Sequence, residues 1–283
     1  MIVVVGVDGS EGSRAALRFA SGFARTLGAR LCAVWSWEYP AERPLTGGPP
    51  LLAVDGADAA VGARLDEVLR EELADAAESV ERRVERGPAN RGLLHALSQT
   101  GAEVLVVGQR GLGTVAGRLL GSVSRRVAEQ APCPVIVVPR AYVPSSGPIV
   151  VGVDGSVGAA GALQWATSVA QADHAAIVAV HGMSLAPSEF TESAIQDFPQ
   201  RGRAVVDAQC QPVVEAGVEL QVRVVLSDPR TLLDEVATTQ DARLVVVGAR
   251  GTGPIEALLL GSVSAYLVQH SDRPVAVIPS AAP

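Results

Sequence analysis

The sequence contains no lysine, and all 23 of its basic residues are arginine. A Walker P-loop and a Schiff-base enzyme both need a lysine amine, so the sequence excludes these two classes of site. The formal net charge is -7, with acidic residues and arginines interspersed. Because general nucleic-acid binding needs a basic face, we expect no nucleic-acid partner, and any phosphate recognition has to be local.

Cysteine and histidine are also scarce. The three cysteines, Cys32, Cys133 and Cys210, are widely spaced in apolar or helical contexts, which favours buried small hydrophobes over a disulfide framework or a zinc site. The four histidines have no carboxylate or second histidine at metal-ligand spacing. Only His181 is expected near a cleft, at the position that corresponds to Trp35 in the first half of the chain. No histidine is assigned a catalytic role.

Long hydrophobic runs are missing as well. No apolar run approaches the ~18 residues that a membrane span needs. Residues 1–8 have no basic region before their apolar run, unlike a signal peptide. We therefore expect a soluble, cytoplasmic protein without a membrane partner.

A glycine-rich stretch occurs twice, at residues 108–124 and 248–264. Aligned without gaps, the copies are identical at 10 of 17 positions, with the spacing Gly-x2-Gly-x9-Gly-Ser. A strand-like run precedes each copy and a helical pattern follows it. Glycines let successive N–H groups converge on one ligand, and a helix starting at Ser122 or Ser262 adds its positive dipole end. The stretch is a candidate anion site, with a tight strand-to-helix turn as the alternative.

The first strand is duplicated too, since residues 149–156 repeat residues 3–10. Strands alternate with helices on both sides of a proline-rich linker at residues 139–148. This pattern predicts an α/β protein with two tandem domains, residues 1–140 and 147–283. Each domain is expected to be a doubly wound, Rossmann-like, five-stranded parallel sheet of order 3-2-1-4-5 with helices on both faces. Ser10 and Pro229 are predicted at helix starts.

The predicted topology brings distant residues together. In this strand order the ligand crevice opens between strands 1 and 4, at their carboxyl ends. Asp8 ends strand 1 and Gly108 ends strand 4, and Asp154 and Gly248 do the same in the second half. We predict a binding site at each convergence. Asp8 and Asp154 could instead only form turns, since Asp-Gly is a common turn pair.

These motifs, with Cys-Pro-Val-Ile-Val-Val at strand 5, make each half resemble the universal stress protein family. The chain resembles a tandem member of the kind common in actinobacteria, over nearly all its length. The glycine motif is that of the family's nucleotide-binding branch. The resemblance implies ATP or another adenine nucleotide as ligand, with Mg²⁺ on its phosphates and no protein ligand to the metal assigned.

The resemblance also assigns residues. Asp8 and Asp154 match an aspartate that contacts the adenosine part, and Val34 and Val180 lie where a strand end packs on adenine. The phosphate-binding positions are matched by Gly108, Gly111, Gly121 and Ser122, with Ser124 close by, and in the second half by Gly248, Gly251, Gly261, Ser262 and Ser264. Arg110 and Arg250 recur and either neutralise phosphate or form surface ion pairs. Trp35 and Trp37 are candidates for the wall of the base pocket, although packing in the core or the lid is the favoured role for Trp37.

The family's regulatory role implies a nucleotide-dependent interaction with an unknown protein partner, through residues 38–58, which we expect to form a loop or lid. The family pairs domains through strand 5, which implies an internal pseudo-dimer and a homodimer of the chain beyond it. Alternatives are a slow ATPase or adenine-nucleotide hydrolase, and a nucleotide-free interaction module. Because Thr114, Ala116 and Arg118 become Pro254, Glu256 and Leu258, we expect the second site to be the weaker one.

Overall fold

The computed structural model describes residues 1–38, 56–111, 120–183, 192–252 and 260–280, with residues 192–195 described for their backbone only. The strands in these residues are β1 (Ile2–Gly6), β2 (Arg30–Trp37), β3 (Glu81–Arg86), β4 (Val104–Gly108), β5 (Val135–Val138), β6 (Ile149–Gly152), β7 (Ile177–Gly182), β8 (Leu220–Val225), β9 (Leu244–Gly248) and β10 (Val275–Ile278). The helices are α1 (Glu11–Thr26), α2 (Ala57–Leu73), α3 (Ala89–Thr100), α4 (Ser122–Gln130), α5 (Val157–Asp173), α6 (Glu192–Glu215), α7 (Pro229–Thr239) and α8 (Ser262–His270). A 3₁₀ helix, Ala74–Ser79, follows α2.

All ten strands form one sheet, in the order β3-β2-β1-β4-β5-β10-β9-β6-β7-β8. Within each half the strands are parallel and follow the predicted order 3-2-1-4-5. The two five-stranded sheets are not separate, however, because β5 and β10 pair antiparallel, with Val137 opposite Val275. This pairing satisfies the backbone N–H and C=O groups that each fifth strand would otherwise leave exposed. It is the strand-5 junction that the family resemblance implies.

The central strands are buried on both faces, which explains their continuous runs of β-branched residues. Val3, Val4 and Val5 are all 0% exposed. One core cluster packs β1 residues against α1 and α2, and a second packs the opposite face against α3 and α4, with matching packing in the other half. The three cysteines are buried as predicted.

The helix starts follow the predicted caps. The side chain of Ser10 accepts a hydrogen bond from the N–H of Ser13 at 3.2 Å, and Ser156 does the same for Ala159 at 3.1 Å. Pro229 is the first residue of α7, after the capping Asp228. Helix α6 was not identified from the sequence pattern, because Pro199 and Pro212 lie inside it.

An aromatic group joins the two halves beside the sheet. The ring of Phe19 in α1 lies 5.4 Å from that of Tyr142 in the linker, and the ring of Phe23 lies 6.2 Å from that of Trp165 in α5. Over the described ranges, no helix is both long and apolar enough to cross a membrane. Of the expected loop at residues 38–58, residues 39–55 lie outside the described residues, and Ala57 and Asp58 begin α2.

Candidate functional site

Each half has a cavity at the carboxyl ends of its first and fourth strands, where the topology predicts the ligand crevice. The first cavity has a volume of about 290 Å³ and the second about 890 Å³. All the predicted residues of the first half line the first cavity: Asp8, Val34, Gly108, Arg110, Gly111, Gly121, Ser122 and Ser124. The second is lined by the predicted residues of the second half: Asp154, Val180, Gly248, Gly251, Gly261, Ser262 and Ser264. The fold therefore brings together residues that are 100 positions apart.

The aspartates do form turns at the ends of β1 and β6. The Oδ1 atoms of Asp8 and Asp154 accept hydrogen bonds from the N–H groups of Ser10 and Ser156, both at 2.9 Å. The glycine between each pair has a positive φ, 80° at Gly9. This geometry is an Asx turn, which leads the chain from the strand into the following helix.

The same carboxylates also reach the glycine loops. Oδ2 of Asp154 accepts a hydrogen bond from the N–H of Thr252 at 3.1 Å. A methyl group at Gly111 or Gly251 would collide with Oδ2 of Asp8 or Asp154, respectively. Each aspartate therefore holds two walls of its cavity together, in addition to lining it.

A second pair of glycines, Gly12 and Gly158, lets the first helix of each half approach the glycine loop. A side chain at Gly12 would collide with the carbonyl oxygen of Arg110, and one at Gly158 with that of Arg250. From the other side, a methyl group at Gly108 would lie 2.5 Å from the carbonyl of Gly12. Sequence reasoning missed this pair, although the two glycines follow Ser10 and Ser156 at the same spacing and give a signal by recurring.

The start of α4 supplies the N–H groups of the first cavity. Gly121 is the N-cap and provides no side chain, and its own N–H donates to the carbonyl of Gln109 at 2.9 Å. The N–H groups of the following first turn, from Ser122, have no partner inside the helix. Gly261 at the start of α8 repeats this arrangement, with its N–H donating to Ala249 at 2.7 Å.

Ser124 and Ser264 are buried, and their hydroxyls bond to the backbone. The Oγ of Ser124 donates to the carbonyl of Gly108 at 2.6 Å, and the Oγ of Ser264 lies 3.0 Å from the carbonyl of Ala249. These hydroxyls hold the helix start against the end of the fourth strand. The arrangement fixes the direction in which the free N–H groups point.

Arg110 and Arg250 line the two cavities. Among the described residues neither guanidinium forms an ion pair, so the surface ion pairs considered from the sequence are not found there. Nε of Arg110 is buried and has no hydrogen-bond partner within the described part of the chain. A buried cationic donor beside an uncapped helix start favours a bound anion.

Trp35, Trp37 and His181 are not among the described lining residues of the two cavities. Trp35 packs beside Gly9 on the α1 face of the sheet, and Nε1 of Trp37 donates to Asp58 at 2.9 Å. His181 hydrogen-bonds through Nδ1 to the carbonyl of Val153 at 2.8 Å and stacks on Phe198 beneath α6. His181 is therefore near the second cavity, as expected, because Val153 and its neighbours Val180 and Gly182 line that cavity. Its ring faces the other side of the sheet, since successive strand residues face opposite sides.

Ser36 is a further lining residue that sequence reasoning missed. It lies near the end of β2, and its Oγ is buried with no hydrogen-bond partner among the residues that the structure describes. The equivalent residue of the second cavity is Gly182. The only sequence signal was its position two residues after Val34, on the same side of the strand.

The part of the chain that the structure describes contains no cluster of three or more His, Cys, Asp or Glu residues able to hold a metal ion. The loop differences from which we predict a weaker second site, at residues 114–118 and 254–258, lie outside the described residues.

Comparison with known proteins gives a consistent result. The model of the Universal stress protein family matches residues 1–139 and 146–279. A universal stress protein of Mycobacterium bovis is 36% identical over 187 residues, which are 62% of this chain and 58% of that protein. One of Mycolicibacterium smegmatis is 32% identical over 183 residues, 62% of each chain. The matches thus span less than two thirds of these relatives.

Among solved structures, a universal stress protein of Archaeoglobus fulgidus superposes with a TM-score of 0.70, covering 99% of this chain and 98% of its own. A second, from Pseudomonas aeruginosa, gives a TM-score of 0.63 with 98% and 92% coverage. Their identities to this chain are 21% and 19%, so these structures support the fold alone.

Proposed function

Since this chain belongs to the universal stress protein family, we propose that it binds ATP in its two cavities and acts as a regulatory protein whose nucleotide state changes its interaction with a protein partner. The observation that carries the proposal is the duplicated convergence of an aspartate turn, a glycine loop and an uncapped helix start on one cavity. We also propose residues 1–140 and 147–283 as the two nucleotide-binding domains.

The residues fit a nucleotide in the following way. The free N–H groups at the start of α4, the backbone of Gly111 and the guanidinium of Arg110 would hold the phosphates. The apolar side chains of Val34 and Leu93 line the same cavity and would pack on the base. Asp8 would hold the phosphate-binding part and the base-binding part of the cavity at a fixed distance from each other, because its carboxylate fixes the turn after β1 and approaches the glycine loop.

Mg²⁺ would be held by the phosphates themselves and would neutralise part of their charge. Around the first cavity Asp8 is the only carboxylate among the described lining residues, and its Oδ1 already accepts from Ser10. We assign no residue as a general base. A slow ATPase or nucleotide hydrolase therefore remains the alternative to a binding protein, without a lining residue that favours it.

The regulatory step requires a partner and a surface. We propose a cytoplasmic protein that forms a homodimer, and we assign partner contact to the segment of residues 38–58, adjoining the end of β2.

The decisive experiment is mass spectrometry of the ligand released from the purified chain, followed by calorimetric titration with ATP. We expect adenine nucleotide in the released fraction and saturable binding. If nothing is released and millimolar ATP does not bind, the chain is a nucleotide-free interaction module. Multiple-turnover phosphate release would instead support the enzyme alternative.

A further inference from the structure

A cationic groove lies between α3 and α4, outside the first nucleotide cavity. It has a volume of about 470 Å³, and its described lining consists of Pro88, Asn90, Arg91, Leu94, Arg126 and Gln130. We call it the α3–α4 groove. Its polar lining consists of two guanidiniums and two carboxamides, without any carboxylate. This composition is unusual on a chain with a net charge of -7.

Neither arginine of the groove is neutralised. Most other arginines with an acidic neighbour form ion pairs, as Arg125 does with Glu129 one turn away at 3.6 Å. Among the described residues, by contrast, Arg91 and Arg126 have no ion-pair partner and no side-chain hydrogen bond. Both arginines are exposed and line the same groove, where their guanidiniums can donate charge-assisted hydrogen bonds to an oxyanion.

The backbone adds to the positive potential of the groove. Helix α3 begins there with Pro88 as its N-cap, and no side chain caps its first turn. The N–H groups of Ala89 and Asn90 have no partner inside the helix, whereas the N–H of Arg91 donates to the carbonyl of Pro88 at 2.8 Å. The positive dipole end of α3 lies at this first turn. Leu94 and Pro88 supply the apolar part of the lining.

The equivalent place in the second half has different residues. Arg91 and Arg126 correspond to Thr231 and Tyr266. The ring of Tyr266 stacks on His270 with centroids 4.4 Å apart, and the guanidinium of Arg230 lies 5.9 Å from the tyrosine ring. Asp228 then neutralises Arg230 at 2.5 Å. The duplicated fold therefore does not require an open cationic groove here.

We infer that the α3–α4 groove is a second oxyanion site, which takes a phosphate or carboxylate group through Arg91, Arg126 and the first turn of α3. It adjoins the nucleotide cavity, because Ala89 and Val123 line that cavity one residue from Pro88 and three from Arg126. The oxyanion is either a separate small anion or a terminal phosphate of a ligand that extends from the cavity. The inference rests on the groove alone and does not depend on the nucleotide proposal.

The test is an NMR titration of the full ¹⁵N-labelled chain with inorganic phosphate. We expect saturable shifts in the amides of Asn90 and Arg91, which line the groove and not the first cavity. The R91Q/R126Q variant should bind phosphate at these amides at least about tenfold more weakly, the factor expected from losing charge-assisted hydrogen bonds. The matched control is R70Q/R223Q, which removes two exposed arginines without described ion pairs and should behave like wild type.

Equal affinity in wild type and R91Q/R126Q would overturn the inference, as would an equal loss in both double variants. Shifts at Ser122 report phosphate at the glycine loop separately, so failure of nucleotide binding does not decide the result at the groove. Repeating the titration with saturating ATP distinguishes the two sources. If ATP removes the phosphate shifts at residues 90 and 91, the groove takes the nucleotide's own phosphate, and if they persist it takes a separate anion.

Discussion

At the residue scale, the carboxylates of Asp8 and Asp154 connect the turn after the first strand of each half to the glycine loop. Each Oδ1 accepts the N–H of a helix cap, and Oδ2 of Asp154 accepts the N–H of Thr252. Removing a carboxylate leaves these N–H groups without their acceptor and loosens two walls of the cavity at once. The proposed role in binding is therefore coupled to a structural role at this position.

We predict that Asp8→Ala abolishes nucleotide binding at the first site and lowers the free energy of unfolding by about 1–3 kcal/mol. Calorimetric titration should then show one nucleotide per chain instead of two. Asp154→Ala should remove the weaker binding event and leave the tighter one. If both variants lose a binding event of the same affinity, the prediction that the second site binds ATP more weakly than the first is wrong.

Gly12 and Gly158 allow a second test at this scale. Gly12→Ala or Gly158→Ala puts a methyl group against the carbonyl of Arg110 or Arg250, so the loop has to shift, at a cost of about 1–3 kcal/mol. Gly22→Ala and Gly161→Ala, in the same two helices, meet no atom within 4 Å and should stabilise by about 0.5–1 kcal/mol. Urea unfolding compares the four variants, and equal effects would show that the close approach is unimportant.

The buried thiols give a pH prediction. Burial raises the pKa of Cys32 to about 12 and those of Cys133 and Cys210 to about 11. In the unfolded chain the thiols ionise near their usual pKa, so the unfolded state releases protons first as pH rises. Stability should therefore fall between about pH 9 and 12. At pH 8 a thiol reagent should label no cysteine in the folded protein and all three in denaturant.

The sequence predicted the residues that line the cavities because strand order places them at one edge of the sheet. It did not reveal Gly12 or Ser36. The need for a glycine at position 12 comes from the carbonyl of Arg110, nearly 100 residues away, and this contact leaves no local pattern. Ser36 carries no motif, and only the three-dimensional packing shows its buried hydroxyl without a partner.

At the element scale, the start of α2 is anchored to the sheet through Asp58. Its carboxylate accepts from Nε1 of Trp37 at 2.9 Å and pairs with Arg86 at 2.5 Å. The hydrogen bond from Arg86 lowers the pKa of Asp58 most, and the hydrogen bond from Trp37 lowers it further. Because the folded-state pKa is depressed, the stabilisation is complete above the unfolded pKa near 4 and is lost as pH falls through the folded value.

We predict that Asp58→Asn shifts the emission of Trp37 and frays the first turn of α2 at neutral pH, and that acidification below about pH 4 reproduces the shift in the wild type. Trp37→Phe is the control, because it removes the reporter and leaves Trp35 and Trp165 in place. A shift that persists in Trp37→Phe would assign the signal to another tryptophan and contradict the anchor.

Elements with a single dominant signal were predictable. The β-branched strands and α4 agree with the sequence analysis, since burial on both faces and a clear helix start leave few alternatives. Helix α6 was missed because Pro199 and Pro212 normally break helices, whereas here the helix continues through both, with Val206 and Val213 buried in the core.

At the scale of the whole molecule, one side chain links the first glycine loop to the second half. Nε2 of Gln109 donates to the carbonyls of Val268 and Gln269, both at 3.0 Å, in the last turn of α8. The other end of α8 is the start at Ser262 that lines the second cavity. The corresponding residue on the second loop is Ala249, which has no side-chain donor.

We predict that Gln109→Ala lowers the free energy of unfolding by about 1–3 kcal/mol, because two hydrogen bonds to helix carbonyls are lost. Hydrogen exchange of the α8 amides should accelerate. Gln99→Ala, on the exposed face of α3, is the control and should change neither measurement. Unchanged exchange in Gln109→Ala would mean that water replaces the contact without loss.

The link through Gln109 also concerns how such a chain can evolve. In a homodimer of identical subunits every substitution appears at both symmetry-related places, so a contact between subunits is made twice or not at all. A chain that carries both halves in one gene is free of that constraint, and Gln109 and Ala249 differ across its pseudo-twofold junction. Covalent fusion thereby makes the connection between the two cavities asymmetric. The loop of the first cavity contacts helix α8 of the second through Gln109, whereas Ala249 on the second loop has no side-chain donor to make the reverse contact.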